Sequence, residues 1–235
     1  MKHTLIVLSI LFFSFNKISA QTNTDTIRPL SIGDTRVLKS VILGENRILN
    51  ICLPYNYDKQ IAYPVIYLLD GSVNEDIIHI TGLVQFFNLM FQMPDFIVVG
   101  IANVDRKRDF TFPTKLKDLK EKYPTTGGSA KFIDFIEKEL QPFIQFNYKT
   151  TETKYIIGQS LGGLLASEIL LKKPFLFTHY FIISPSLWWN NESLLDEAKE
   201  ILSRQSDNNL YVYISVGAEG KLMEYGAEKL AKALN

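Results

Sequence analysis

Ser160 sits in the run Gly158-Gln159-Ser160-Leu161-Gly162, a glycine–any–serine–any–glycine spacing that Gly163 extends. A serine hydroxyl is a poor nucleophile until a base takes its proton and hydrogen-bond donors receive the oxyanion it creates. The spacing suits that chemistry for steric reasons. On a sharp strand-to-helix turn the hydroxyl projects above the sheet, and glycines on either side let strand and helix close around it. The Leu161 amide then points where the oxyanion would form, helped by the positive end of the following helix. The same five letters also describe an incidental serine in a glycine-rich turn. Context separates the two: an apolar strand-like run at 154–157 precedes the turn, and a helix-like run at 161–171 follows it. That setting favours Ser160 as a nucleophile.

A nucleophilic serine needs a base, and the base needs an orienting acid. Glu219, in Gly217-Ala218-Glu219-Gly220 just past the apolar run 210–216, is the candidate acid, with Glu224 in reserve. A solvated carboxylate flanking a helix explains either residue at least as well. No histidine follows Glu219 before Asn235. His179 directly precedes the run 180–183, so at about 3.3 Å per residue it falls roughly 15 Å from the far end of that strand. His79 lies on a predicted helix well ahead of the elbow. Packing or surface roles account for both. No Cys, His and acidic residues share ligand spacing, so neither a metal nor a cofactor is expected.

Elements must hold these residues in place. The runs 65–69, 96–101, 155–157, 180–183 and 210–216 are apolar on both faces, as parallel strands covered by helices on each side are. Helical spacing lies between them, at 75–91, 129–146, 161–172 and 222–234. Ser129 is placed to cap the second of these helices, and Pro142 should kink or shorten it. Residues 36–43 and 47–53 read as an antiparallel hairpin turned at Gly44-Glu45-Asn46. The alternation predicts an α/β class: a mostly parallel, doubly wound sheet with an N-terminal antiparallel hairpin, forming one domain over 35–235. The charged stretch 103–128, with Pro113 and Pro124, reads as a long excursion over the sheet, and loops of that length tend to be functional.

Composition narrows the classes further. The chain has 235 residues, of which 46% are hydrophobic, which excludes a disordered protein. Its 25 Lys and Arg balance 25 Asp and Glu, so there is no basic field for nucleic acid. Lys2 and His3, the apolar stretch 4–15 and Ser19-Ala20 before Gln21 have the layout of a secretory signal over 1–20, which predicts export to the periplasm or beyond the cell. That apolar stretch is well short of the ~20 residues that span hydrocarbon, so no stable membrane insertion is expected after cleavage. Residues 21–34 are polar and read as a loose leader. Cys52, the single cysteine, allows no intramolecular disulfide and reads as a small buried hydrophobe.

Four blocks carry a resemblance. They are Tyr67-Leu68-Leu69-Asp70-Gly71, the stretch from Val99 to Phe110 (VGIANVDRKRDF), the elbow from Gly158 to Gly163, and Ser184-Pro185-Ser186-Leu187-Trp188-Trp189. In order and spacing the chain from about residue 36 onward resembles the esterase family of α/β-hydrolases that includes siderophore esterases of the ferri-enterobactin type. The resemblance implies an α/β-hydrolase fold. It also implies that the loop after the Leu-Leu-Asp-Gly strand supplies a second oxyanion donor, here the amide of Gly71 or Ser72. That loop leaves the carboxyl end of a central strand, where such sheets bind ligands, although Asp-Gly is also a plain turn signal. Arg106 and Arg108, beside Asp109, are placed to bind an anionic substrate group or to form a surface ion-pair cluster. Trp188 is placed as an aromatic pocket wall or as half-buried packing.

The resulting expectation is an exported serine esterase acting on small-molecule carboxylic esters through an acyl-enzyme. Siderophore-like or acylated-sugar esters are the substrates the resemblance offers. Family members continue past this point with a strand, a histidine-bearing loop and a closing helix. The chain is therefore expected to be either a truncated esterase or a natural variant, with weak activity, and with an unprotected edge at the strand 210–216. The alternative is a non-catalytic relative that binds a ligand in the same pocket. Oligomeric state is not legible.

Overall fold

A computed structural model describes residues 27–203 and 209–234. The predicted signal and residues 21–26 of the leader lie outside the described residues. The chain divides after Leu30, and everything below concerns the unit that begins at Ser31. Residues 31–33 have no regular structure, and the first strand begins at Asp34, one residue inside the expected leader.

Strands β1 (Asp34–Ser40) and β2 (Glu45–Cys52) form the antiparallel pair, with Ser40 opposite Glu45. The turn lies at 41–44, earlier than expected, because Gly44 takes φ +70° and so closes the turn instead of opening it. After β3 (Tyr63–Leu68) come α1 (Ile77–Leu89), β4 (Ile97–Ile101), α2 (Arg106–Phe110) and α3 (Lys117–Lys122). The 103–128 excursion therefore carries two short helices. Helix α4 (Ser129–Phe135) passes through a π turn, Ile136–Leu140, into α5 (Gln141–Asn147). Pro142 does not end the helical run, which continues through α5 to Asn147. The widened turn immediately before it absorbs the missing N–H and the ring's clash with the preceding turn. Ser129 is not the cap: Gly128 holds that position, and the Ser129 hydroxyl is buried without a partner.

The rest is β5 (Thr150–Gln159), α6 (Leu161–Lys172), β6 (His179–Ile183), α7 (Ser193–Ser203), β7 (Tyr211–Ser215) and α8 (Lys221–Leu234). Helix α7 has no counterpart in the expected elements. Leu194, Leu195 and Ala198 of it are buried, and Ile201 and Leu202 continue the same apolar stripe against the core.

The seven strands form one sheet in the order β1-β2-β4-β3-β5-β6-β7, antiparallel through β1, β2 and β4 and parallel from β4 to β7. Strand alternation splits the core in two. Val65, Tyr67, Val99 and Ile156 face the larger cluster, under α4, α5 and α6. Ile66, Leu68, Val98 and Cys52 face a smaller one with Ile77 of α1. Cys52 is a buried free thiol, and burial pushes its pKa up. The parallel run brings the carboxyl ends of β3, β4, β5, β6 and β7 to one edge, where sheets of this type bind ligands. No helix among the described residues is long and apolar enough to cross a membrane.

Candidate active site

Ser160 lies between β5 and α6 with φ +56° and ψ −115°, outside the conformations a side-chain-bearing residue ordinarily takes. The surroundings hold it there. Its amide donates to the Ile183 carbonyl (3.0 Å), and its carbonyl accepts from the amides of Leu164 and Ser186, each at 3.0 Å. Strain of this kind costs on the order of 1–3 kcal/mol and persists only where neighbours impose it. Two glycines make the approach possible. A Cβ on Gly158 would stand 2.3 Å from the Gly162 carbonyl oxygen, and one on Gly163 would stand 2.9 Å from Pro185 Cα. At Gly162 itself a Cβ would meet nothing nearer than 3.4 Å. The steric requirement therefore falls on Gly158 and Gly163, not on Gly162 as the five-letter pattern suggests.

The Ser160 side chain is half-buried, and its Oγ lies 3.3 Å from Ser186 Oγ. Leu161 begins α6, so its amide has no carbonyl four residues back inside the helix. The sequence pattern did not single out Ser186. Its position three residues past the end of β6, inside the Ser184–Trp189 block, is the signal that marks it.

The loop after β3 is built just as tightly. Asp70 takes φ +54°, and a Cβ on Gly71 would sit 2.3 Å from Gly100 Cα. The Gly71 amide donates to the Ile101 carbonyl (3.0 Å), which commits it to the neighbouring strand and removes it as an oxyanion donor. The Ser72 amide donates to Glu75 Oε2 at 3.1 Å. Burial works to raise the Glu75 pKa, but hydrogen bonds from Ser72 and Asn103 outweigh it and hold the carboxyl below its ordinary value.

Both arginines are already engaged. Arg106 grips Asp70 through Nε (2.6 Å) and Nη2 (2.9 Å), and Nη2 also reaches the Gln159 carbonyl at 3.2 Å. Burial opposes its charge, but the bond to Asp70 outweighs that and lifts its pKa. Arg108 donates to Glu45 at 2.6 and 3.1 Å and to Asp109 at 2.7 Å. Arg106 thus commits two nitrogens and Arg108 three to protein partners, and each side chain stays about a third exposed. Arg106 joins the β3 loop to the elbow, and Arg108 belongs to a structural ion cluster at the start of β2.

Glu219 follows β7. Its Oε1 accepts from the Ser184 hydroxyl in a short hydrogen bond and from the Gly217 amide at 3.3 Å. Glu224 accepts only from Gly220, at 3.3 Å. His179 starts β6 opposite Tyr155, four residues before the end of β5, where it stacks on that ring at 4.0 Å and contacts Thr178 Oγ1 at 2.9 Å. Burial pushes its pKa down. His79 is largely exposed on α1, 3.7 Å from Asp76.

Trp188 is half-buried and lines a cavity of about 610 Å³ with Leu116, Leu119, Leu222, Asp118 and Glu192. That volume lies in the range of small-molecule sites. Trp189 is fully buried and donates to the Phe112 carbonyl (2.9 Å), which pins the cavity wall to the excursion.

Comparison with known proteins identifies this framework. The profile of the family described as "Putative esterase" matches residues 40–234. The chain belongs to that family. Ferri-bacillibactin esterase BesA of Bacillus subtilis is 30% identical over 232 residues, covering 89% of this chain and 78% of its own. The crystal structure of BES protein from Bacillus cereus superposes with a TM-score of 0.77 at 29% identity, over 89% of this chain and 84% of that one. An IroE-like serine hydrolase from Shewanella oneidensis gives 0.65 at 28%, over 86% and 78%. The fold is that of the esterase α/β-hydrolases, as the sequence blocks imply. Membership in the esterase family supports carboxylic-ester hydrolysis as the chemistry of this framework.

Proposed function

We propose that the protein is an exported serine esterase that opens small-molecule carboxylic esters through an acyl-enzyme on Ser160. The observation that carries this is the backbone of Ser160, held at φ +56° on the strand-to-helix turn with its hydroxyl only half-buried. In the reaction the Ser160 oxygen attacks the ester carbonyl, a base takes its proton, and the alcohol leaves. Water then releases the acid. The Leu161 amide is one oxyanion donor and the Ser72 amide, once released from the Glu75 side chain, the other, since the Gly71 amide is committed to the strand frame. Glu219, fixed by Ser184 and Gly217, is the acid that would orient a base. Trp188, two residues past Ser186, is the candidate aromatic wall for one side of the ester. BesA is named for ferri-bacillibactin and a relative from Emericella nidulans is named a siderophore enterobactin esterase, which makes a siderophore-type ester the first substrate to try and an acylated sugar the second. Export rests on the layout of residues 1–20.

Hydrolysis of p-nitrophenyl acetate by the wild type, lost in Ser160→Ala, is the expected result. Turnover that survives that substitution would remove Ser160 from the mechanism.

A second reading is a binding protein without turnover. The placement of His179, toward the end of the sheet away from Ser160, favours it. Ester binding in calorimetry without any Ser160-dependent hydrolysis is the outcome that selects this reading.

A further inference from the structure

Both amides available as the second oxyanion donor are occupied. The Gly71 bond to Ile101 extends the pairing of adjacent strands and is part of the frame. The Ser72 bond is different, because its acceptor is a side chain. Glu75 Oε2 takes the Ser72 amide at 3.1 Å, and Glu75 Oε1 accepts from Asn103 Nδ2 at 2.9 Å. The same Asn103 nitrogen reaches Asp70 Oδ1 at 2.6 Å, and Asp70 is clamped by Arg106. A carboxylate is thus held on the N–H that serves, in the proposed function, as the second oxyanion donor.

Resting on the reading of Ser160 as the nucleophile, we propose that Glu75 gates the oxyanion site: its carboxylate caps the Ser72 amide, and turning away exposes the second donor. With Glu75 in place, the forming oxyanion meets Leu161 alone and approaches a charge of its own sign. Once Glu75 leaves, two amides converge on it. The spacing Ser72-Val73-Asn74-Glu75 is also that of a helix-capping box, in which the glutamate reaches back to the serine amide. A cap and a gate differ in what their removal does. Losing a cap only destabilises, whereas losing a gate strengthens binding of a tetrahedral anion.

Phenylboronic acid is a suitable probe. Ser160 Oγ bonds to boron, the hydroxyl proton passes to solvent, and boron becomes a tetrahedral anion that needs the same donors. The full chain is titrated as wild type, Glu75→Gln, Glu75→Ala and Ser160→Ala, and p-nitrophenyl acetate kinetics are measured on each. Glutamine keeps an acceptor oxygen of the same reach without the charge, so it decides the matter should the alanine variant fold poorly. A hydrogen bond to an ionised acceptor is about twice as strong as a neutral one. The boronate Kd should therefore fall about fivefold or more in Glu75→Gln, with kcat rising in step and KM little changed. Ser160-dependent boronate binding that is unchanged or weaker in both Glu75 variants overturns the gate and leaves the nucleophile intact. Absence of Ser160-dependent binding in every protein sinks the nucleophile reading and the gate with it.

Discussion

Arg106 places one guanidinium on two segments of the site at once, Asp70 of the β3 loop and the Gln159 carbonyl beside the nucleophile. A side chain used in this way sets the separation of Ser72 from Ser160 and Leu161 without touching an ester. Replacing it should therefore lower kcat and leave KM nearly alone. Misplacement on the order of 1 Å can cost about 100-fold in rate, so Arg106→Ala is expected to lose between about 10- and 100-fold in kcat. Lysine, with a point charge in place of a planar fork, should recover only part of that. A rise in KM at constant kcat would instead mean that Arg106 binds substrate. The contrast also shows what the sequence could reveal. The turn that carries Ser160 and Leu161 is legible because five consecutive residues write it. The role of Arg106 is not, because its partner lies 36 residues away and only the fold brings them together. Glu75 lies between these cases. Its spacing from Ser72 is local, but the fact that Gly71 is spoken for depends on Ile101, a strand away.

At the scale of elements, the junction of β5 with α6 carries the design. The five-letter pattern treats its two outer glycines alike, and the packing does not. Gly158 has the Gly162 carbonyl where its Cβ would be, while Gly162 faces open contact distances on the first turn of a helix. Gly158→Ala should therefore cost about 1–3 kcal/mol through overpacking against backbone that cannot yield. Gly162→Ala should be neutral or stabilising by up to about 1 kcal/mol, the helix preference for alanine. Urea unfolding of the two variants measures the difference, and equal costs would refute the assignment. Strands β3 and β4 were legible because burial on both faces writes continuous apolar runs, whereas β7, expected to be covered on both faces, leaves Tyr211 and Tyr213 exposed on one. Helix α7 was missed although Leu194, Leu195, Ala198, Ile201 and Leu202 repeat at helical spacing. The π turn before Pro142 was illegible for a physical reason: the proline announces a conflict with the helix but not which of several backbone adjustments resolves it.

The whole molecule is tied across its antiparallel end by ion pairs. Arg47 of β2 is fully buried, bonded to Asp109 (2.7 Å) and Glu45 (2.8 Å), with its guanidinium 5.0 Å from the Phe132 ring centre. Arg108 closes the cluster onto the same two carboxylates. The cluster joins the β1–β2 pair, the excursion that bears Arg106, and helix α4, so its loss loosens the frame around the site. Burial works to raise the Glu45 pKa, but the hydrogen bonds from Arg108 and Arg47 outweigh it and hold the carboxyl below its ordinary 4.5. A carboxylate depressed in the folded state binds its proton more readily when unfolded. Its stabilisation is therefore complete above the unfolded value and drains away as pH falls through the lower, folded one. Glu45→Gln removes that term. The variant should melt below the wild type at pH 7, and the gap should narrow as pH drops below about 4.5, because the unfolded chain takes up the proton first and the folded carboxylate follows at its lower pKa. Tm measured against pH for both proteins tests this, and a gap that stays constant down to pH 3 would show that the Glu45 charge does not help hold the frame.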